Sequence, residues 1–145
     1  MTDITISAAD TACADDIAEL ERQYIDCPWS VEQVKAEIAK PNVIFLAARC
    51  GGKTVGYVSG EAAADEIEFG NIAVDSAFRR QGVATRLLRA LVEHAQSCGV
   101  KKIFLLVSAS NTSAKALYEK VGFISKGIRK SYYGNTDAII MELEI

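Results

Sequence analysis

The chain has 145 residues, of which 50% are hydrophobic and 24% charged, with ten glycines and two prolines. These values are typical of a globular protein and argue against a disordered or two-domain chain, so residues 1–145 are predicted to form one domain. Sixteen lysines and arginines against nineteen acidic residues give a net charge of −3, which provides no overall positive field for binding nucleic acid or an anionic membrane.

The first predicted elements are a strand and two helices. Alternating apolar residues predict the strand over residues 2–7, and apolar positions on one stripe predict a helix over residues 11–25 with Asp10 as its N-cap. The sequence Ser30-Val31-Glu32-Gln33 is a capping box. It opens a second helix, which must end by Pro41 because proline breaks the helical hydrogen-bond pattern.

A hairpin and a further strand come next. The turn Gly51-Gly52 separates two apolar segments, which predicts paired strands over residues 43–50 and 54–60. Residues 67–74 predict the following strand. Gly70 interrupts its pattern, and glycine within a strand usually marks a bulge.

The second half of the chain alternates helices and strands. An apolar ridge predicts a helix from Val83 to the C-cap region at Gly99. The remaining segments predict a helix over residues 112–121 and strands over residues 101–108, 123–129 and 138–144. The order β-α-α-β-β-β-α-β-α-β-β predicts an α/β (α+β) domain with a mixed, mostly antiparallel sheet, and it excludes a Rossmann or TIM-barrel arrangement.

Cysteine and histidine usage argues against a metal site. The four cysteines are widely separated, none is part of a CxxC pair, and His94 is the only histidine. Tetrahedral zinc sites draw on closely spaced pairs of such residues, so we expect no metal, and we interpret His94 as a solvated helix residue. The N-terminus lacks the basic and apolar segments of a signal peptide, which predicts a cytoplasmic protein with reduced thiols.

One loop has the composition of a phosphate-binding site. The pattern R-x-x-G-x-A runs from Arg79 to Ala84, between a predicted strand and the start of the strongest predicted helix. Free N–H groups at a helix start can hold a phosphate, and Gly82 allows close approach of the main chain. A short pattern of this kind also fits a basic surface loop that caps a helix, and it is not a Walker loop.

A second block of sequence, residues 108–123, follows about thirty residues later. Together the two blocks resemble the GCN5-related N-acetyltransferase (GNAT) superfamily, and the nearer resemblance is to its ribosomal-protein-alanine N-acetyltransferases, the RimI-like enzymes. The similar segments keep the family's order and spacing; they are Pro28-Trp29-Ser30, Asn71-Ile72-Ala73-Val74, Ala109-Ser110-Asn111, Ala116-Leu117-Tyr118-Glu119, Tyr132-Tyr133 and Asp137-Ala138-Ile139-Ile140-Met141. The resemblance implies the GNAT fold, with about six to seven strands and four helices.

The resemblance also implies acetyl-CoA as cosubstrate, without a metal. Main-chain groups of the strand would face the pantetheine arm and the thioester, and the loop would wrap the pyrophosphate. The residues implied are Ile72, Ala73, Val74, Arg79, Arg80, Gln81, Gly82, Val83, Ala84, Thr85 and Asn111. Tyr118 matches the family's general acid, which protonates the departing thiolate. From the sequence alone, Tyr118 could equally be a core residue beside Leu117 and Val121.

The general base of the RimI-like enzymes is missing. Their strand carries a glutamate where this chain has Leu106, and an arginine where it has Ser108. Glu68 aligns with the glutamate base that other GNAT enzymes place on the neighbouring strand, so it could act through a water molecule. It could also be a solvated strand residue.

The missing base favours an α-amine as acceptor. At pH 7, neutralising an α-amine of pKa about 7.7–8.0 costs about 1–1.4 kcal/mol, whereas neutralising a lysine of pKa about 10.4 costs about 4.6 kcal/mol. A weak base therefore suffices for a protein N-terminus. Tyr132 and Tyr133 match an aromatic pair that flanks the peptide in related enzymes, and Trp29 would form the opposite wall, although each could instead serve packing.

The sequence thus predicts direct transfer of an acetyl group from acetyl-CoA to the N-terminal α-amine of a protein, most specifically the alanine of a small-subunit ribosomal protein. Two alternatives stay open. One is a GNAT enzyme that acetylates a small amine or a lysine. The other is a non-catalytic CoA-binding module, which the residues Leu106 and Ser108 make conceivable.

Overall fold

A computed structural model describes residues 3–145 as a seven-stranded sheet with four helices. The strands are β1 Thr5–Ala8, β2 Val43–Cys50, β3 Lys53–Ala63, β4 Glu66–Val74, β5 Lys102–Ser108, β6 Ile124–Arg129 and β7 Ala138–Glu144. The helices are α1 Ala14–Tyr24, α2 Val31–Ile38, α3 Val83–Ser97 and α4 Thr112–Val121. This confirms the predicted order of elements. The predicted first strand began at Thr2, which, like Met1, lies outside the described residues.

The helix predicted over residues 11–25 begins differently from the prediction. Residues Thr11–Cys13 form a 3₁₀ turn, and α1 starts only at Ala14. Asp10 caps the turn, because its side chain accepts a hydrogen bond from the N–H of Ala12 at 3.1 Å. The capping box at Ser30 is present as predicted: the Ser30 Oγ accepts from the Gln33 N–H at 3.2 Å, and the Gln33 side chain accepts from the Ser30 N–H at 2.8 Å.

The sheet has the order β1-β2-β3-β4-β5-β7-β6, and among the strands described over residues 3–145 only β4 and β5 pair in parallel. These two strands pair over three residues each, ending at Glu68 and Phe104, and then separate. The predicted bulge lies at this point, where the register between β3 and β4 shifts opposite Ser59. Glycine fits this close approach, because a Cβ atom on Gly70 would lie 2.4 Å from the Ser59 Oγ and 3.2 Å from the Ser59 carbonyl oxygen, so that a larger residue would have to displace Ser59. The bulge and the separation together open a gap in the middle of the sheet.

Helices cover both faces of the sheet. On one face α1 and α2 bury Ile17, Leu20 and Val34 against Phe45 and Tyr57. On the other face α3 and α4 pack against β2 to β5; their buried residues include Leu87, Leu88, Leu91, Ile67 and Ile103. The gap between β4 and β5 is therefore flanked by helices from both layers.

Candidate active site

A cleft of about 630 Å³ lies beside the N-terminus of α3, and we call it the α3 cleft. All but one of the eleven residues predicted to bind the cosubstrate line it: Ile72, Ala73, Val74, Arg79, Arg80, Gly82, Val83, Ala84, Thr85 and Asn111. The exception is Gln81, which is exposed beside it. The structure therefore brings residues from β4, the loop before α3 and the start of α4 together around one space.

The start of α3 leaves main-chain donors free. Gly82 is the N-cap and has no side chain to bond the first turn. The first helical hydrogen bond is donated by the Arg86 N–H to the Gly82 carbonyl at 3.0 Å, so the N–H groups of residues 83–85 have no helical partner. Nothing lies within 4 Å of the position that a Cβ on Gly82 would take, and its φ of +76° is left-handed. This open, positively polarised helix end fits a pyrophosphate.

Arg79 is fixed against α1. Its guanidinium carbon lies 4.5 Å from the centroid of the Tyr24 ring, and its Nε donates to the Val74 carbonyl at 3.2 Å. The Tyr24 hydroxyl in turn accepts a hydrogen bond from the Ser76 N–H at 3.0 Å. Arg79 thus holds the loop in place, and the exposed Arg80 follows it with a left-handed φ of 62°.

Strand β4 presents a free edge inside the gap. Residues Ile72, Ala73 and Val74 pair with β3 through Val58, Tyr57 and Gly56. On their other side no β5 residue is in register within the described part of the chain. Their main-chain groups on that side can therefore bond a ligand in the way that a neighbouring strand would.

A second cleft, of about 580 Å³, lies on the other side of the gap, and we call it the Tyr118 cleft. It meets the α3 cleft at four residues that line both: Tyr24, Ile72, Asn111 and Ala114. Its own lining comes from the α1–α2 loop, β4, β5, α4 and the β6–β7 loop. A group bound in one cleft can therefore reach a group bound in the other near Ile72.

Tyr118 lines the second cleft and also packs in the core. Its ring contacts Phe69 edge-on with centroids 5.5 Å apart, and Phe123 at 5.9 Å. Burial, and secondarily Tyr133, raises the pKa of Tyr118 to about 12. At neutral pH the hydroxyl therefore keeps its proton and can donate it. In the structure, packing in the core and a role as proton donor are therefore compatible for Tyr118.

The structure does not bring Glu68 into the Tyr118 cleft. Leu106 and Ser108 line that cleft, whereas Glu68 is exposed and lines a smaller cavity of about 210 Å³. The two spaces share Phe69 and Gly70 in their walls. Glu68 is also directly opposite Glu61 on β3, so the two carboxylates are cross-strand neighbours.

Of the three aromatic residues predicted to hold the acceptor, Tyr132 and Tyr133 lie together and Trp29 lies apart from them. Tyr133 lines the Tyr118 cleft, and burial raises its pKa. Tyr132 is exposed and contacts the Tyr133 ring edge-on at 5.0 Å. Trp29 lies in the smaller cavity with Glu68, where its ring is 6.3 Å from that of Phe45.

Three polar residues that sequence reasoning missed lie at or beside the Tyr118 cleft. Asp26 is the only acidic residue among the described residues that line it, and Asn71 lines it from β4. Behind Asn71 lies Glu21, whose side chain is buried. A sequence signal existed for Glu21: it occupies the apolar stripe of α1, four residues after Ile17 and next to Leu20.

Among residues 3–145, no group of three or more histidine, cysteine, aspartate or glutamate residues is placed to hold a metal ion. None of the helices described over the same residues combines the length and the apolar character needed to cross a membrane.

Comparison with known proteins gives consistent matches. Residues 14–123 match the acetyltransferase (GNAT) family. The chain is 39% identical over 136 residues to the N-alpha-acetyltransferase RimI of Mycobacterium tuberculosis, covering 90% of this chain and 84% of that protein. It is 34% identical over 145 residues to the ribosomal protein bS18-alanine N-acetyltransferase of Escherichia coli K12, covering 97% of both. The crystal structure of the ribosomal-protein-S18-alanine N-acetyltransferase from Escherichia coli superposes with a TM-score of 0.88 at 33% identity, covering 99% of this chain and 94% of the other.

Proposed function

The chain belongs to the GNAT acetyltransferase family, and on this premise we propose that it transfers the acetyl group of acetyl-CoA to the N-terminal α-amine of a protein. The acceptor we propose is the N-terminal alanine of a small-subunit ribosomal protein, the substrate that the name of the Escherichia coli relative gives for that enzyme. We further propose that residues 1–145 act as one domain, in the cytoplasm. The observation that carries the proposal is the meeting of the α3 and Tyr118 clefts at Ile72.

The α3 cleft supplies the binding site for acetyl-CoA. Free N–H groups of residues 83–85 and the space beside Gly82 would hold the pyrophosphate, with Arg80 adding positive charge. The open edge of β4 at Ile72, Ala73 and Val74 would bond the pantetheine amides. When bound, acetyl-CoA supplies an activated thioester. These residues would direct the thioester towards the junction of the two clefts.

The Tyr118 cleft supplies the path for the acceptor. The amine enters between the α1–α2 loop and the β6–β7 loop, and its nitrogen attacks the acetyl carbonyl carbon while the carbon–sulfur bond breaks. Tyr118, which stays protonated at neutral pH because burial raises its pKa to about 12, gives its proton to the departing sulfur. An amine that arrives as an ammonium group loses two protons. We propose that Glu68 receives the first before attack, through water that passes Gly70, where the two cavities share a wall, and that the second, released after attack, replaces the proton that Tyr118 gave to the sulfur.

The aromatic residues would grip the peptide chain at different distances from the reacting amine. Tyr133 lines the cleft and would contact the first residues, while Tyr132 extends the same surface outward. Trp29 lies beyond Phe69 and Gly70 and would contact the acceptor on the opposite side. An apolar Leu106 in the cleft wall suits an acceptor that needs little help in losing its proton, as an α-amine does.

The release of CoA from acetyl-CoA, measured with four acceptors, tests the proposal. One is a peptide with a free N-terminal alanine, and the second is the same peptide with its N-terminus blocked, which is the matched control. The third is an N-terminally blocked peptide containing lysine, and the fourth is a free polyamine. We expect turnover with the first only. Preference for lysine or the polyamine would reassign the acceptor, and no turnover with any of them despite acetyl-CoA binding would favour a non-catalytic module.

A further inference from the structure

Glu21 is a buried carboxylate that the proposed chemistry does not use. It is 1% exposed, and no lysine or arginine lies within salt-bridge distance of it among residues 3–145. It accepts hydrogen bonds from the Tyr57 hydroxyl, from the Trp29 N–H at 3.1 Å and from the Asn71 Nδ2 at 3.4 Å. Burying a carboxylate without a counter-ion costs free energy of folding, so an apolar residue at this position would give a more stable fold.

The carboxylate determines how the Asn71 side chain is turned. A carboxylate can only accept hydrogen bonds, so the amide of Asn71 must direct its NH₂ group towards Glu21. The opposite orientation would set the amide oxygen against the carboxylate oxygens. The Asn71 Oδ1 is therefore turned away from Glu21, and Asn71 lines the Tyr118 cleft. Within residues 3–145 the only hydrogen bond of the Asn71 side chain is the one to Glu21.

Asn71 is fixed by hydrogen bonds of both its main chain and its side chain, and Glu21 also fixes the opposite wall of the cleft. The main-chain N–H of Asn71 donates to the Ser59 Oγ at 3.0 Å, at the bulge where β4 leaves β5. Through the Trp29 N–H, Glu21 also ties down the α1–α2 loop, which contributes Ile25 and Asp26 to the cleft. One buried side chain thus sets the distance between β4 and this loop.

We propose that Glu21 is a positioning residue of the acceptor site: it orients Asn71 so that the Asn71 Oδ1 accepts a hydrogen bond from the attacking α-amine. This inference rests on the proposed function. The Asn71 Oδ1 would be an uncharged hydrogen-bond acceptor for the amine, in a cleft where Leu106 provides only an apolar wall. The nearby carboxylates of Glu21 and Asp26 add negative charge on the same side, which favours an amine that arrives as a cation.

The first test substitutes Glu21 by glutamine, which keeps the shape of the side chain but can direct an NH₂ group at Asn71. For Glu21→Gln we expect KM for the N-terminal alanine peptide to rise about tenfold. Asn71 would turn its NH₂ group towards the cleft, and the charged α-amine would lose its hydrogen bond to the Asn71 Oδ1. Acetyl-CoA affinity should stay within about twofold, since Glu21 does not line the α3 cleft. Tyr57→Phe is the matched control: it removes another donor to the same carboxylate, from a residue that lines neither cleft, and should destabilise the fold without changing KM.

The second test uses Asn71→Leu, which removes the Asn71 amide from the cleft wall and one of the three donors to Glu21, and which keeps the hydrogen bonds from Tyr57 and Trp29 to that carboxylate. We expect the same rise in KM, and adding Glu21→Gln to it should change KM by less than about twofold, because Glu21 acts through Asn71. A peptide KM in Asn71→Leu within twofold of wild type, or fully additive effects in the double variant, would overturn the positioning role. Failure of the wild-type protein to acetylate the peptide would instead count against the proposed function.

Discussion

The two clefts that meet at Ile72 recognise their ligands by different means. The longest run of residues that line the α3 cleft lies within positions 79–85, and this run offers main-chain N–H donors and an open space beside Gly82. The Tyr118 cleft takes its walls from two loops, two strands and a helix, and its polar groups are side chains such as Asn71 and Asp26. Main-chain recognition depends on the path of the backbone, whereas side-chain recognition changes with every substitution.

This difference explains how the acceptor side can carry Leu106, where the family resemblance implies a glutamate, without a change in the cosubstrate site. Leu106 lies in the wall of the Tyr118 cleft and does not line the α3 cleft. Substitutions in the Tyr118 cleft can therefore change acceptor binding without changing the α3 cleft.

The largest effect is expected for Gly82→Val. A β-branched residue would occupy the space proposed for the pyrophosphate and would strain the left-handed backbone. Acetyl-CoA at a hundredfold excess over its dissociation constant should stabilise the wild type by about 2.7 kcal/mol in thermal melting, and the variant by nothing. Gly99→Val is the control, since Gly99 has the same φ of +76° at the other end of α3 and lines neither cleft. A normal ligand-induced shift in Gly82→Val would remove the loop from the cofactor site.

Tyr118→Phe should lower kcat by about a hundredfold, because it removes the proton donor for the departing thiolate. Acetyl-CoA affinity should change little, since Tyr118 lines only the acceptor side of the junction. Steady-state kinetics with the N-terminal alanine peptide provide the measurement. Unchanged kcat would leave Tyr118 as a core residue that packs against Phe69 and Phe123.

Glu68→Gln should slow acetylation about tenfold at pH 6.5, where the α-amine is mostly charged, and by less than about twofold near pH 9, where it is mostly neutral. Glu61→Gln is the matched control, because Glu61 lies opposite Glu68 and lines the same small cavity. Leu106→Glu should partly restore the rate at low pH, since it returns a carboxylate to the Tyr118 cleft. A pH profile that Glu68→Gln leaves unchanged would exclude Glu68 as the proton acceptor.

The smallest effect concerns stability at high pH. Burial raises the pKa of Tyr118 to about 12, above the value of about 10 expected in the unfolded chain. The resulting stabilisation is fully present below pH 10 and is lost as the pH rises from 10 to 12. Between pH 9 and pH 11 the free energy of unfolding of the wild type should therefore fall by about 1 kcal/mol more than that of Tyr118→Phe. Equal slopes in chemical denaturation would mean that the hydroxyl is not buried.

Features that depend on neighbouring residues could be predicted from the sequence, whereas contacts between distant residues could not. Periodic apolar residues, the capping box at Ser30 and the glycines at the helix ends act locally, so the order of elements and the family fold could be predicted. The loop before α3 is also local, and its residues were identified together. Glu21 and Asn71 are separated by 50 positions, so their contact depends on how α1 packs on the sheet and leaves no pattern in the sequence. For the same reason, alignment suggested Glu68 but could not indicate that it faces a different cavity from Tyr118.

The parallel seam between β4 and β5 has a consequence for the order of events in turnover. Only three residues of each strand hold the two halves of the sheet in register. A pantetheine arm that lies along the free edge of β4 would give its main-chain groups hydrogen-bond partners. The ligand would then connect β4 and β5 over a longer distance than the paired residues do alone. Because β4 and β5 also form part of the acceptor wall, we expect that wall to become rigid only afterwards. Turnover should therefore be sequential, with acetyl-CoA binding first, the protein N-terminus second, and CoA leaving last.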